Sequence, residues 1–227
     1  MSWRGSQATS RERYRDKYDA AEVERYDSLV GQLSREDEDA YLSDMNRVVS
    51  FASGMQVLDA GAGTGTFCQL LSRLPGLSMT ALEPAPAMLA KLKSKPELSG
   101  VRAIEGFCDA IEDRGLFRQG EFDAIASRQL CNGLFDPLAA FHNWYHWLVP
   151  GGAVILIDGL YGRSAWTGIW QEEVDVLPLS ACQTLALAPY LLEAAGFRVE
   201  AVELMENANR LPATVTQRYV VVARRAS

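Results

Sequence analysis

Apolar positions fall into two regimes along the chain. Between Ser10 and Phe51 charged residues dominate, and Tyr14, Tyr18, Val23, Tyr26 and Leu29/Val30 recur at mostly three- and four-residue steps. That spacing predicts one stripe of an amphipathic helix. Gly31 predicts its end, and Ser34 followed by Asp37 and Glu38 predicts the cap of a second helix through Leu42, Met45 and Val48/Val49. From Met55 onward short apolar runs alternate with helical segments. MQVLDA, LSMTALE, VRAIEG, FDAIAS and GGAVILIDG read as strands, and TFCQLLSRL, PAMLAKLKS, DPLAAFHNWYHWLV and APYLLEAAG as helices. Such alternation predicts a parallel sheet covered on both faces. The end departs from it, because FRVEAVELM and TQRYVVVARR are strand-like runs joined by a polar loop without a helix. They predict an antiparallel pair, with the last strand running against the rest of the sheet.

The expected fold is therefore α/β: a mostly parallel seven-stranded sheet with an antiparallel last strand, preceded by helices. Residues 1–52 read as an N-terminal helical cap and residues 53–227 as the main domain. Residues 160–184 have weak periodicity and are long for a connection, which predicts a functional insertion or a lid.

Composition narrows the choice of ligand. The net charge of −7 disfavours nucleic acid and anionic lipid, whose binding rests on clustered lysine and arginine. Cys68, Cys108, Cys131 and Cys182 are far apart and form no CxxC pair, so neither a zinc site nor a disulfide framework is expected. No run is long and apolar enough to span a membrane, and the start lacks the apolar core of a secretory signal. The expected setting is cytoplasmic.

The densest candidate chemistry is VLDAGAGTGTF, Val57 to Phe67. Glycine admits positive φ and lets a ligand approach without meeting a Cβ, and a strand that turns this way into a helix presents free N–H groups to an anion. A phosphate-binding P-loop needs GxxxxGK[ST], and no lysine occurs here. A dinucleotide site uses GxGxxG, whereas Gly61, Gly63 and Gly65 are spaced GxGxG; that reading is weakened but stays open.

DAGAGTG resembles motif I of the class I S-adenosylmethionine-dependent methyltransferases, and the resemblance runs from about Val57 to the C-terminus. It implies a Rossmann-like three-layer sandwich with S-adenosyl-L-methionine as cofactor. Glu83, ending the second strand, stands where that family keeps an acid for both ribose hydroxyls. In GFCDAIE, Asp109 stands where an acid commonly accepts from the adenine amino group, with Cys108 beside it. Pro84, Ala85 and Met88 correspond to the apolar wall against adenine. SRQLCNGLFDPLAAF followed by LVPGG is similar to the family's "DP…L…LkPGG" passage, and the terminal antiparallel pair is its topological mark. Asp59, Gly61 and Gly63 are expected at the methionine end, where a small carboxylate needs only backbone amides.

Ser127 and Arg128 follow the fourth strand, at the edge where open α/β sheets bind ligands, and are candidates to position the methyl-transfer site. The alternatives are a turn cap for Ser127 and a surface ion pair for Arg128. Tyr18 is a candidate to close over the cofactor, against plain helix packing. Tyr161, Trp166 and Trp170, in the insertion, suit an apolar or planar acceptor, or else a small satellite core. Cys131 lies near enough to the predicted site for labelling by a reactive ligand. His142 and His146, four apart on one helix, are expected on its solvent side rather than as metal ligands, and no metal site is expected. The implied function is methyl transfer to oxygen or nitrogen of a small-molecule acceptor. The alternatives are transfer to RNA or a protein side chain, aminopropyl transfer on the same fold, or a non-catalytic donor-binding regulator. Oligomeric state is not legible.

Overall fold

A computed structural model describes residues 3–168, 171, 174–212 and 214–226. Three helices come first: α1 (Trp3–Lys17), α2 (Ala20–Leu29) and α3 (Arg35–Val48). The continuous tyrosine stripe predicted one helix across α1 and α2. The chain instead breaks at Tyr18–Asp19, where Asp19 accepts a hydrogen bond from the Glu22 amide at 2.8 Å and so caps α2. Ser34 caps α3 as expected, in a reciprocal capping box with Asp37 (3.1 and 2.9 Å).

The alternating region follows as β1 (Gln56–Ala60), α4 (Thr66–Leu71), β2 (Ser78–Glu83), α5 (Pro86–Ser94), β3 (Arg102–Glu105), β4 (Phe122–Arg128), α6 (Pro137–Trp147), β5 (Leu148–Gly159), α7 (Leu187–Ala194), β6 (Phe197–Leu204) and β7 (Arg218–Arg225). One seven-stranded sheet runs in the order β3-β2-β1-β4-β5-β7-β6. The pairs β1–β2, β1–β4, β2–β3 and β4–β5 are parallel, whereas β7 lies antiparallel between β5 and β6. The expected α/β sandwich and its reversed last strand are both present.

Period-two alternation on the central strands divides the core into two layers. Leu58, Ile125, Val154, Leu156 and Val221 face α6 and α7, where Phe141, Trp144 and Leu192 are buried. Val57, Ala124, Ile155, Ile157 and Val220 face the other way, onto Phe67 and Leu70 of α4 and Tyr41 and Met45 of α3. Thus α3 belongs to a sandwich layer. Buried Asp44 ties it down further by accepting from the amides of Asn207 (3.0 Å) and Ala208 (2.9 Å), in the β6–β7 connection. Only α1 and α2 have the character of a cover. Tyr18 and Val23 form a small separate cluster with Ala85 and Met88, at the start of α5.

Candidate functional site

The glycine turn is built by opposing demands on three neighbours. Gly61, Gly63 and Gly65 have φ of 70°, 54° and 91°, and the amides of Gly61 and Ala62 both donate to the Leu82 carbonyl (2.9 and 3.1 Å), tying the turn to β2. A Cβ on Gly65 would fall 2.5 Å from a Leu98 methyl and 2.9 Å from Leu92 Cγ, so the bare backbone lets α4 start against α5. Gly63 is different. A Cβ there would meet only Tyr26, at 4.0 Å, across the open space of a cavity.

That cavity, of about 360 Å³, lies at the C-terminal edge of β1, β2 and β4 and extends under α1 to the insertion. Open α/β sheets bind ligands at this edge. Gly61, Gly63, Glu83 and Pro84 line one end, Cys108 and Asp109 a side, and Tyr161 and Trp166 the other end, with Arg128 between the two ends and Tyr18 above. Met88 also lies on the wall, whereas Ala85 is buried behind it.

Two acids flank the turn. Glu83 is 2% exposed, and its two oxygens accept from the amides of Gly63 and Ala85, each at 2.9 Å. Burial raises its pKa to about 7 against these two amides, and the charge of Asp59 adds to the rise. Asp59 does not reach the cavity wall. It is buried behind the turn, where Oδ2 accepts from the Cys68 thiol at 3.1 Å and Oδ1 has no partner. Its pKa is also pushed to about 7 by burial, with Cys68 and Arg128 opposing.

Asp109 lines the cavity, and both of its oxygens have partners. Oδ2 accepts from the amides of Phe135 (2.7 Å) and Asp136 (2.9 Å), and Oδ1 lies 3.3 Å from the Arg11 guanidinium. Burial raises its pKa, and Arg11 is the main opposing charge. Arg11 reaches over from α1, lies 5.7 and 5.5 Å from the ring centres of Phe107 and Phe135, and also donates to the Asp109 carbonyl at 2.9 Å. Tyr18 stands edge-on to Tyr14 (5.4 Å) and Tyr26 (6.1 Å), so an aromatic row roofs this part of the cavity.

At the far end, Trp166 donates from its indole nitrogen to the Ser180 carbonyl (2.8 Å), and Tyr161 stands edge-on to it at 6.3 Å. Val174, Leu177 and Leu179 are buried, so the described part of the insertion has its own apolar anchors. Trp170 lies outside the described residues. Ser127 is buried beneath the wall and its hydroxyl has no partner. Cys131 is buried beside a small separate pocket with Asp158, and burial and that acid push its thiol well above the usual range, which opposes labelling. His142 is exposed and His146 half-buried, both off the cavity wall. Among the described residues no group of three or more His, Cys, Asp or Glu side chains is placed to hold a metal, and no helix is long and apolar enough to cross a membrane.

Sequence reasoning passed over Arg11, Phe107, Gln129, Leu130, Phe135 and Arg218. Arg11 and Asp109 are 98 positions apart, so no local pattern links them. Gln129 carried no sequence signal either, yet its φ of 57° makes it the one non-glycine residue with positive φ among those described.

A family model described as a methyltransferase domain matches residues 57–152, from β1 into β5. Residues 57–152 carry a methyltransferase domain. Its cofactor is S-adenosyl-L-methionine, and two features of the site fit that group: Gly63 opens onto the cavity, and the orphaned Asp59 Oδ1 waits behind it. The methyltransferase domain is similar to the ubiquinone biosynthesis O-methyltransferase of Xanthomonas campestris pv. campestris (strain B100), with 31% identity over 103 residues. That match covers 45% of this chain and 42% of the relative, so the chain spans less than half of the curated protein it matches. Among solved structures, an S-adenosylmethionine-dependent methyltransferase from Mesorhizobium loti aligns with a TM-score of 0.63 at 21% identity, over 84% of this chain and 100% of that one. Phosphoethanolamine N-methyltransferase 2 from Haemonchus contortus, in complex with S-adenosyl-L-methionine, aligns with a TM-score of 0.67 at 17% identity, over 100% of this chain and 60% of that one. These two likenesses concern the fold.

Proposed function

We propose that the protein transfers a methyl group from S-adenosyl-L-methionine to oxygen or nitrogen of a small-molecule acceptor. The observation that carries this reading is the buried carboxylate of Glu83, presented to the cavity beside the glycine turn. Its two oxygens suit two adjacent ribose hydroxyls. The donor's methionine end then lies towards Gly61, Gly63 and Asp59, with Arg128 for its carboxylate, and its base towards Pro84, Met88 and Phe107. Asp109 takes the adenine amino group only if Arg11 withdraws, so donor entry moves α1. The cofactor supplies an activated methyl group on a sulfonium; this chain's residues orient the acceptor and exclude water.

The acceptor occupies the end lined by Tyr161 and Trp166. A cavity roofed by α1 and bounded by the insertion suits a small molecule better than a polymer. No histidine lines it, and burial holds the Tyr161 phenol above its ordinary pKa, so neither supports a base at neutral pH. An acceptor that is nucleophilic once bound, such as a free amine or a phenolate, fits this arrangement.

Calorimetry with S-adenosylmethionine and its demethylated product tests the donor assignment. Both should bind in the micromolar range. Glu83→Ala removes two charge-assisted hydrogen bonds and should cost on the order of 2–4 kcal/mol. Stronger binding of NAD would reverse the assignment.

A further inference from the structure

Arg218 opens β7 opposite Gly159 of β5 and lines the acceptor end of the cavity. The sequence at residue 159 makes room for it. A Cβ on Gly159 would come within 2.5 Å of Arg218 Nη1 and 2.8 Å of the Tyr161 ring. A side chain there would displace both groups.

The partners of Arg218 are all neutral. Nη1 donates to the Tyr161 hydroxyl, and the guanidinium carbon sits 5.4 Å from that ring's centre. With its amide oxygen turned inward, Gln129 accepts from Nη1 at 2.9 Å and from Nη2 at 2.6 Å. Gln129 is held in a left-handed conformation to do so, its amide pinned to the Ile157 carbonyl at 2.8 Å. Backbone strain of this kind persists only where the surroundings impose it. The buried Nε of Arg218 has no partner.

Among the described residues, no carboxylate lies within ion-pair distance of Arg218 or of Arg128. Asp158 is the acid whose field reaches Arg218, but its oxygens are occupied by the amides of Gly159 (2.7 Å) and Asn132 (3.3 Å). A half-buried cation framed by neutral groups leaves a charge for a ligand to complete. Arg128, at the end of β4, stands between the glycine turn and Arg218. It donates to the Val30 carbonyl at 3.3 Å, and its charge acts on Tyr26 and Asp59 on the donor side as well as on Tyr161. With the donor's single carboxylate assigned to Arg128, as proposed above, Arg218 is left over.

We propose that Arg218, steadied by Tyr161 and Gln129, grips an oxyanion of the methyl acceptor, so that the acceptor is a small apolar molecule bearing a carboxylate or a phosphate. This deepens the function proposed above and rests on it. The apolar body is set by Leu130, Leu134, Trp166 and Leu177 on the surrounding wall. A planar guanidinium with two parallel N–H groups matches either anion in two-pronged fashion.

The test uses the full chain saturated with S-adenosylhomocysteine and three probes of similar size: benzoate, phenyl phosphate and neutral benzyl alcohol. Ligand-observed NMR titration should show at least one anion binding about tenfold or more tighter than the alcohol, a fold-change expected for one charge-assisted pair. The tighter of the two anions identifies the acceptor's group. Arg218→Gln should abolish the preference while binding S-adenosylhomocysteine within about twofold of the parent, because Arg218 is remote from Glu83. Arg218→Lys keeps the charge without the fork and should retain a reduced preference, which preserves the test if the glutamine variant misfolds. Equal or weaker binding of both anions, or a preference that survives Arg218→Gln, overturns the inference and leaves the donor assignment intact. Failure of the parent chain to bind S-adenosylhomocysteine overturns the donor assignment and this inference with it.

Discussion

Donor binding should be coupled to proton release from Glu83. With its pKa at about 7, the side chain is near half-ionised at neutral pH before any ligand arrives. Ribose hydroxyls donate to a carboxylate, so the binding-competent state is the ionised one. The apparent dissociation constant then scales inversely with the ionised fraction, which rises from about 0.1 at pH 6 to about 0.9 at pH 8. S-adenosylhomocysteine should accordingly bind about tenfold tighter at pH 8 than at pH 6, or about 1.4 kcal/mol. Asp59 lies close enough to raise the Glu83 value, so the two acids titrate as a pair; ionisation of both would steepen the slope. Isothermal titration calorimetry in buffers of different ionisation enthalpy measures affinity and proton release together. Glu83→Gln keeps an acceptor oxygen in place and removes the titration, so it should bind more weakly and lose most of the slope. Affinity that is flat from pH 6 to 8 in the parent, or an undiminished slope in Glu83→Gln, would refute the reasoning.

Three further outcomes follow from the same geometry. The folded-state pKa of Asp59 lies above its ordinary value of 3.8, so the native state holds an extra proton between about pH 4 and 7; stability is greatest below that window and falls as pH rises through it. At 1.36 kcal/mol per unit the loss is on the order of 4 kcal/mol, so urea melts of ligand-free protein should weaken from pH 5 to pH 7.5, and Asp59→Asn should flatten the trend; a rising trend in the parent contradicts the assignment. Gly65→Ala forces positive φ on a residue with a Cβ 2.5 Å from Leu98, and should lower stability by about 2 kcal/mol or more, read as an earlier thermal midpoint. Because Arg11 sits on Asp109, hydrogen exchange in α1 and α2 should differ between free and S-adenosylhomocysteine-bound protein, and identical protection would exclude the proposed movement of α1.

The sheet is legible in the sequence because each of its signals is local. Strand–helix alternation predicts β1 to β5, and the missing helix before TQRYVVVARR predicts the reversal of β7. The break between α1 and α2 is less visible, because the tyrosine stripe carries on through it. Asp19 with Glu22 three residues later is a cap signature, but it sits inside a pattern that also reads as uninterrupted helix. The glycine turn and Glu83 are legible for the same local reason as the strands. The rest of the cavity is not. Arg11 meets Asp109, and Arg218 meets Tyr161 and Gln129, only after distant segments converge at the sheet edge, and a single arginine at a strand start looks like any surface charge. Even Asp59 and Ser127, correctly placed at strand ends, turn out to be covered by their neighbours, because one residue's shift along a strand exchanges wall for interior.

The placement of β7 has a consequence for how the chain is made. Although it follows β6 in the sequence, it fills an interior slot between β5 and β6. A nascent polypeptide still lacking residues 218–225 therefore carries two apolar strands with unsatisfied flanks on either side of a gap, each open to adventitious pairing. The two flanks are satisfied together, when residues 218–225 pair with β5 on one side and β6 on the other.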